Sequence, residues 1–163
     1  MSADAGGYEF YARHYDEAIA LIGKTIEQDP GFARAYSQLG GIFEQMGRYE
    51  EAIQAFEKAK EVSGGGTYSL TALAHAVALA GRRDEAERRL LELEEIGKRK
   101  FVSPYSLAAV HVALGDADRA FEHLDRAVKG HDRALIWLPV APRFNRVRSD
   151  PRFRAILKTV GAE

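Results

Sequence analysis

The sequence predicts an all-α fold: an α-α superhelix of stacked helix-turn-helix repeats, each 34 residues long, closed by a C-terminal capping helix. Three observations carry this. The segments RHYDEAIA (13–20), GRYEEAIQ (47–54), GRRDEAER (81–88) and GDADRAFE (115–122) begin 34 residues apart each time. Four columns keep that register without a slip: Ala18, Ala52, Ala86 and Ala120; Gly47, Gly81 and Gly115, with Arg13 in the first copy; Leu39, Leu73 and Leu107; and Ile22, Phe56, Leu90 and Leu124. Within a copy the apolar residues then recur at helical spacing, as Tyr36, Leu39, Gly40 and Phe43 do at i, i+3, i+4 and i+7. A fixed period of this length is the mark of a repeat architecture, because one helix pair cannot bury its own apolar faces and must stack on a neighbour.

The elements follow in order. Residues 1–32 form a partial first unit: YDEAIALIGKTIEQDP carries the second-helix pattern, but only about a dozen residues, starting with the helix-poor MSADAGG, precede Arg13. That short start is what a frayed end, or a piece cut from a longer array, would show. Residues 33–66, 67–100 and 101–133 are full units, each of two amphipathic helices. Glycine at 47, 81 and 115 ends the first helix of each, since it takes the left-handed conformation without penalty. The alanine column answers a packing need: only a small side chain lets two helix backbones cross closely. Gly64-Gly65-Gly66 has neither a preceding strand nor a following Gly-Lys-Ser/Thr, so it reads as an inter-repeat turn rather than a phosphate loop.

The second unit, ARAYSQLGGIFEQMGRYEEAIQAFEKAKEV, resembles the tetratricopeptide repeat family, whose small-then-large pattern Tyr36, Leu39, Gly40, Phe43, Ala52, Phe56 and Ala59 reproduce. The third and fourth units keep Leu73-Ala74 and Leu107-Ala108. They depart from the pattern where Val77 and His111 replace an aromatic and Leu93 replaces a small residue. The resemblance covers residues 8–131 and implies a right-handed superhelix that binds protein segments.

Residues 134–163, ALIWLPVAPRFNRVRSDPRFRAILKTVGAE, leave the period. Pro139 and Pro142 stop any helix begun at Asp132. Asp150-Pro151 is a helix start, with Asp as cap and Pro in the first turn. Phe153, Ile156, Leu157 and Val160 then form one apolar stripe. The segment is expected to cover the open face of the last repeat, with Trp137, Phe144 and Phe153 buried beneath it. FVSPYSLAAVHVALGDADRAFEHLDRA followed by RSDPRFRAIL also resembles the C-terminal ends of repeat arrays in bacterial signalling proteins, among them winged-helix regulators, adenylate cyclases and serine/threonine kinases.

Composition narrows the function classes. At 163 residues, 46% hydrophobic and 29% charged, the chain is long enough for one domain with a sizeable core. It has no cysteine, which removes disulfides, thiolate metal sites and cysteine nucleophiles. Lys plus Arg is 23 against 24 for Asp plus Glu, so the large basic excess of a nucleic-acid or membrane-surface binder is missing. No apolar run nears the roughly 20 residues of a membrane helix and no signal-peptide core is present, so a cytoplasmic location is expected. The charge is nevertheless polarised: residues 1–66 sum to −5, 67–133 to zero, and 134–163 to +4. Opposite ends of this kind favour head-to-tail self-association.

No catalytic constellation emerges, so a non-catalytic chain without cofactor or metal is expected. The five histidines, at 14, 75, 111, 123 and 131, never fall three or four apart on one helix. The carboxylate runs sit among basic residues at i, i+4 spacing, as solvated faces do. His111 occupies an inward column and reads as a core residue. Arg143, Arg146, Arg148, Arg152, Arg154 and Lys158, with Phe144 and Phe153 interleaved, form a basic tail in which packing explains the aromatics better than base stacking does.

The expected partner is a peptide or neighbouring domain bound in the concave groove that the first helices line. The groove positions are Arg34, Ser37, Gln38 and Gly41, then Thr71, Ala72 and His75, then Tyr105, Ser106 and Ala109. Tyr105 is the expected anchor. The chaperone-tail clamp of some tetratricopeptide repeats needs lysine, arginine and asparagine on these faces, and only Arg34 is of that type. An alternative assignment is a regulatory region working in cis on a larger signalling protein.

Overall fold

The computed structural model describes residues 3–162, with side chains from His14 onward. Eight α-helices follow one another: α1 (Ala3–Gln28), α2 (Ala33–Gln45), α3 (Tyr49–Val62), α4 (Thr67–Leu79), α5 (Arg83–Gly97), α6 (Pro104–Leu114), α7 (Ala117–Lys129) and α8 (Pro151–Thr159). Two 3-10 segments, η1 (Arg133–Trp137) and η2 (Pro142–Val147), precede α8. No strand occurs among the described residues, so the all-α class holds. The chain divides into two compact units, one up to Ser69 and one from Leu70 onward.

In the first unit α2 and α3 form a hairpin, and α1 packs on α2. Gly47 takes φ +71° at the turn, where its N–H and that of Arg48 reach back to the Glu44 and Phe43 carbonyls at 3.0 and 2.8 Å. The helices touch most closely at Gly40, where an added Cβ would lie 2.7 Å from the Phe56 ring. Ala52 and Ala59 of the small-residue column are fully buried beside it. Arg48 lies over the Phe43 ring at 4.6 Å and pairs with Glu51.

One expectation for this unit is corrected. The repeat pattern put a turn at position 13, but α1 runs as one helix from Ala3 to Gln28. In the other three copies the turn is a glycine with φ near +75° (Gly47, Gly81, Gly115). The first copy has arginine there, which has no such preference, and the helix carries on through it. The Arg13 side chain lies outside the described residues.

In the second unit α6 and α7 form a hairpin, with Ala120, Leu124 and Ala127 fully buried. The last carbonyls of α6 are capped by arginines from two sides: Leu114 accepts from Arg83 of α5, and Ala113 from Arg146 of η2 at 3.2 Å. Cations at a helix C-terminus also meet the negative end of its dipole. At the other end of α6 the Asp132 carboxylate, itself buried, ties two elements together. It accepts from the Ser103 hydroxyl at 2.6 Å and the Tyr105 N–H at 3.2 Å, while its other oxygen takes the Ala134 N–H at 3.0 Å.

The C-terminal segment folds back on this hairpin. η1 and η2 lie on α6, and α8 lies on α7. Leu135, Leu138, Phe144, Val147, Phe153 and Ile156 join Tyr105, Ala109, Val112, Phe121 and Leu124 in one core. Phe144 stands 5.1 Å from the Tyr105 ring. Arg152 spans α8 and α7, bonding Asp118 at 2.8 Å and lying over the Phe121 ring at 4.2 Å.

The segment thus covers the α6–α7 face as expected, with Phe144 and Phe153 buried, but two expectations for it are corrected. Trp137 is 60% exposed rather than buried. In a 3-10 segment residues three apart share a face; Leu135 and Leu138 take the inward one and leave Ile136 and Trp137 outside. The second correction concerns the period, which the tail does not wholly leave. The N-cap residues of α3, α5, α7 and α8 are Arg48, Arg82, Asp116 and Asp150, again 34 apart.

Candidate functional site

The ten groove positions fall into two classes. On α2 the Arg34 and Gln38 side chains are exposed, and the half-exposed Gly41 has open space where a side chain would stand. Ser37 is turned in, its hydroxyl donating to the Ala33 carbonyl at 3.2 Å. On α4 and α6 the positions are covered. Thr71, Ala72, Tyr105 and Ala109 are buried, His75 is 3% exposed, and Ser106 is half-buried with its N–H on the Ser103 hydroxyl at 3.2 Å.

Tyr105 is the largest correction. Expected as an exposed anchor, it is 5% exposed, packed against Phe144 and Leu138 of the folded-back tail. That burial raises its phenol pKa, chiefly through desolvation. The position that would meet a partner in a longer array already has an intramolecular occupant. The signal was present in the sequence: PYSLAAVHVAL has no polar face at all, and a helix that is apolar all round is a buried one.

A second feature is a buried histidine pair. His111 of α6 is a core residue, as its column implies, and its ring stacks on that of His123 of α7 with centroids 5.1 Å apart and planes 14° from parallel. The Nδ1 atom of each has no hydrogen-bond partner. Burial disfavours the imidazolium in both. Desolvation, then His111, Arg126 and Arg119, pushes His123 down to about 4. His111 is lowered too, mainly by desolvation, with Asp116 opposing. A neutral pair of this kind is structural at neutral pH. No third His, Asp or Glu joins it to make a metal-binding group among the described residues. Nor is any described helix long and apolar enough to cross a membrane.

The hairpin of α2 and α3, with its glycine turn, close Gly40–Phe56 crossing and buried alanine column, has counterparts among known proteins. A family model for the tetratricopeptide repeat matches residues 4–66. Relatives extend the likeness past that stretch. Superkiller complex protein 3 of Mus musculus is 24% identical over 80% of this chain and 9% of its own length. Anaphase-promoting complex subunit 3 of Schizosaccharomyces pombe is 26% identical over 76% of this chain and 19% of its own. Small glutamine-rich tetratricopeptide repeat-containing protein 2 of Mycosarcoma maydis is 42% identical, over 29% of this chain and 14% of its own. The chain therefore spans less than a fifth of each relative's length. Tetratricopeptide repeats generally serve as protein–protein interaction modules.

Proposed function

We propose that this chain is a non-catalytic, cytoplasmic protein-interaction module whose receptive face is the outer stripe of α2. The observation that supports it is the pairing of exposed Arg34 and Gln38 with the open space over Gly41. A bare glycine on a helix face lets another backbone come close, and the two polar side chains beside it supply hydrogen bonds to a peptide main chain. Of the ten groove positions Arg34 and Gln38 are exposed and Gly41 half-exposed, while a peptide meeting the buried Thr71, Ala72, His75, Tyr105 or Ala109 would first have to displace what covers them.

Peptides selected from a random display library against the whole chain test this reading. Gly41→Leu fills the open space and Arg34→Ala removes the cation, and both leave the core untouched. Each should weaken selected peptides about tenfold, the loss of one good contact, without moving the melting temperature. Selected peptides indifferent to both substitutions would remove α2 as the site.

A second reading, a regulatory arm acting in cis within a larger signalling protein, draws on the likeness of residues 101–127 and 148–157 to the ends of such arrays. It predicts that α2 binds a domain of the same polypeptide, and that no free peptide competes with it.

A further inference from the structure

The segment before α8 exposes an apolar ridge that the fold leaves uncovered. Ile136 is 73%, Trp137 60% and Val140 68% exposed, three large apolar side chains within five residues. The ridge is held rigid. The Val140 and Ala141 N–H groups both bond the Trp137 carbonyl, at 3.1 and 2.9 Å, and Arg148 clamps the Pro139 and Ala141 carbonyls at 2.7 and 3.2 Å. A pre-ordered apolar surface loses little conformational freedom on docking, which is how interfaces gain affinity beyond their area. It also lies in the most basic part of the chain, net +4 over residues 134–163.

The complement is at the other end of the same sequence. Residues 1–66 carry a net −5. On α1, Leu21 is 66% exposed, with the exposed Glu17 one turn before it and the exposed Lys24 one turn after. An exposed leucine in the acidic half of the sequence matches, in polarity and in segment charge, an exposed tryptophan in the basic tail.

We propose that the Ile136–Trp137–Val140 ridge of one copy docks on α1 of a second copy, around Leu21. The contact is heterologous: each copy uses one face as donor and a different face as acceptor, so association leaves a free donor and a free acceptor to continue the chain. This surface is separate from the α2 stripe, and its success or failure leaves the peptide-binding reading untouched. An anionic lipid surface offers the same ridge a negative partner with an apolar interior, but the chain as a whole is net −1 and lacks the basic excess that holds a protein on such a surface.

Trp137 is the sole tryptophan of the chain, so its fluorescence reports the ridge directly. In a dilution series read by sedimentation and emission together, mass should rise with concentration while emission moves to shorter wavelength. Raising salt from about 50 to about 500 mM should weaken association at least tenfold, because the Debye length shrinks to a few Å. Two variants then separate the faces. Trp137→Ala removes the donor and Leu21→Lys the acceptor, and both residues are exposed enough to be replaced without disturbing the core. Each alone should be monomeric. Mixed one to one, they should form a heterodimer that grows no further, and the emission of the Leu21→Lys copy should shift only when the Trp137→Ala copy is added. A wild type that stays monomeric with constant emission, or a mixture that stays monomeric, overturns the proposal. So does an emission shift on phosphatidylserine vesicles by a wild type that never self-associates, which would assign the ridge to lipid instead.

Discussion

α2 and α6 hold the same place in their hairpins, each the first helix of a pair ended by a glycine with φ above +70°. Their outer faces have opposite fates. α2 keeps Arg34, Gln38 and the bare Gly41 open, whereas α6 has Tyr105 and Ala109 covered by η1 and η2. Repeat register fixes which face of a helix turns toward its own hairpin partner. What covers the remaining face depends on the segments that follow, and on α6 that segment is the chain's own tail.

The sharpest way to break this comparison is to remove the cover. Truncation after Gly130 deletes η1, η2 and α8 together and bares Tyr105, Val112, Phe121 and Leu124. An exposed apolar patch of that size drives association, so the truncated chain should aggregate and bind a hydrophobic dye. A monomeric truncation with an unchanged melting curve would mean that the tail is an appendage.

Single substitutions grade the effect. Phe144→Ala empties the centre of the cover, and removing a fully buried phenylalanine costs about 3–5 kcal/mol. Gly40→Ala probes the other hairpin, forcing the Phe56 ring away from a Cβ that would stand 2.7 Å from it. Overpacking of that order costs about 1–3 kcal/mol. Denaturant melts of the two variants should rank them in that order, and a silent Gly40→Ala would show that α2 and α3 have room to part.

Acid should act on the second hairpin. His111 and His123 are depressed in the folded chain and titrate near 6.5 once unfolded. The unfolded state therefore takes up protons first as pH falls, so stability declines from about pH 6.5 toward the folded value of about 4 for His123, and the neutral pair's contribution is complete above that window. The charged groups around the pair are Asp116, Arg119, Glu122 and Arg126 on its own hairpin and Glu94 on α5. Comparing denaturant midpoints at pH 7 and 5.5, above the range where carboxylates titrate, should show a drop in the wild type that His123→Gln reduces. An equal drop in both would place the acid sensitivity elsewhere.

The smallest effect belongs to α2's open face. Arg34→Ala touches nothing in the core and should change stability by less than about 0.5 kcal/mol, while the same residue matters for peptide capture. A large loss of stability at this position would mean that the α2 face is structural after all.

Much of the architecture could be read from periodicity alone. The glycine turns at 47, 81 and 115 and the buried alanines at 52, 86 and 120 sit where the 34-residue columns put them, whereas α1 runs on through position 13. The errors share one physical origin: periodicity assigns a residue to a helix face but is blind to what arrives from elsewhere in the chain. Tyr105 reads as open because the apolar columns carry no sign that η1 and η2 fold back on α6. Trp137, expected inside, stands outside because the three-residue repeat of a 3-10 segment gives the inward face to Leu135 and Leu138. Asp132 went unnoticed as a clip because nothing local distinguishes a carboxylate that will bond the start of a helix 27 residues earlier.

The 34-residue recurrence of the N-caps from Arg48 to Asp150 makes the tail an exchangeable part. α8 begins where the second helix of another pair would begin, so the last segment is matched to the docking face that a helix pair offers. A builder who wished to lengthen the array would insert whole 34-residue units ahead of residue 101, leaving the α6–α7 pair and its terminator joined. Insertions of any other length would shift the apolar columns of every unit downstream out of line with those before the splice. The tail is in that sense a fitted cover: units added ahead of residue 101 leave it on the same α6–α7 face.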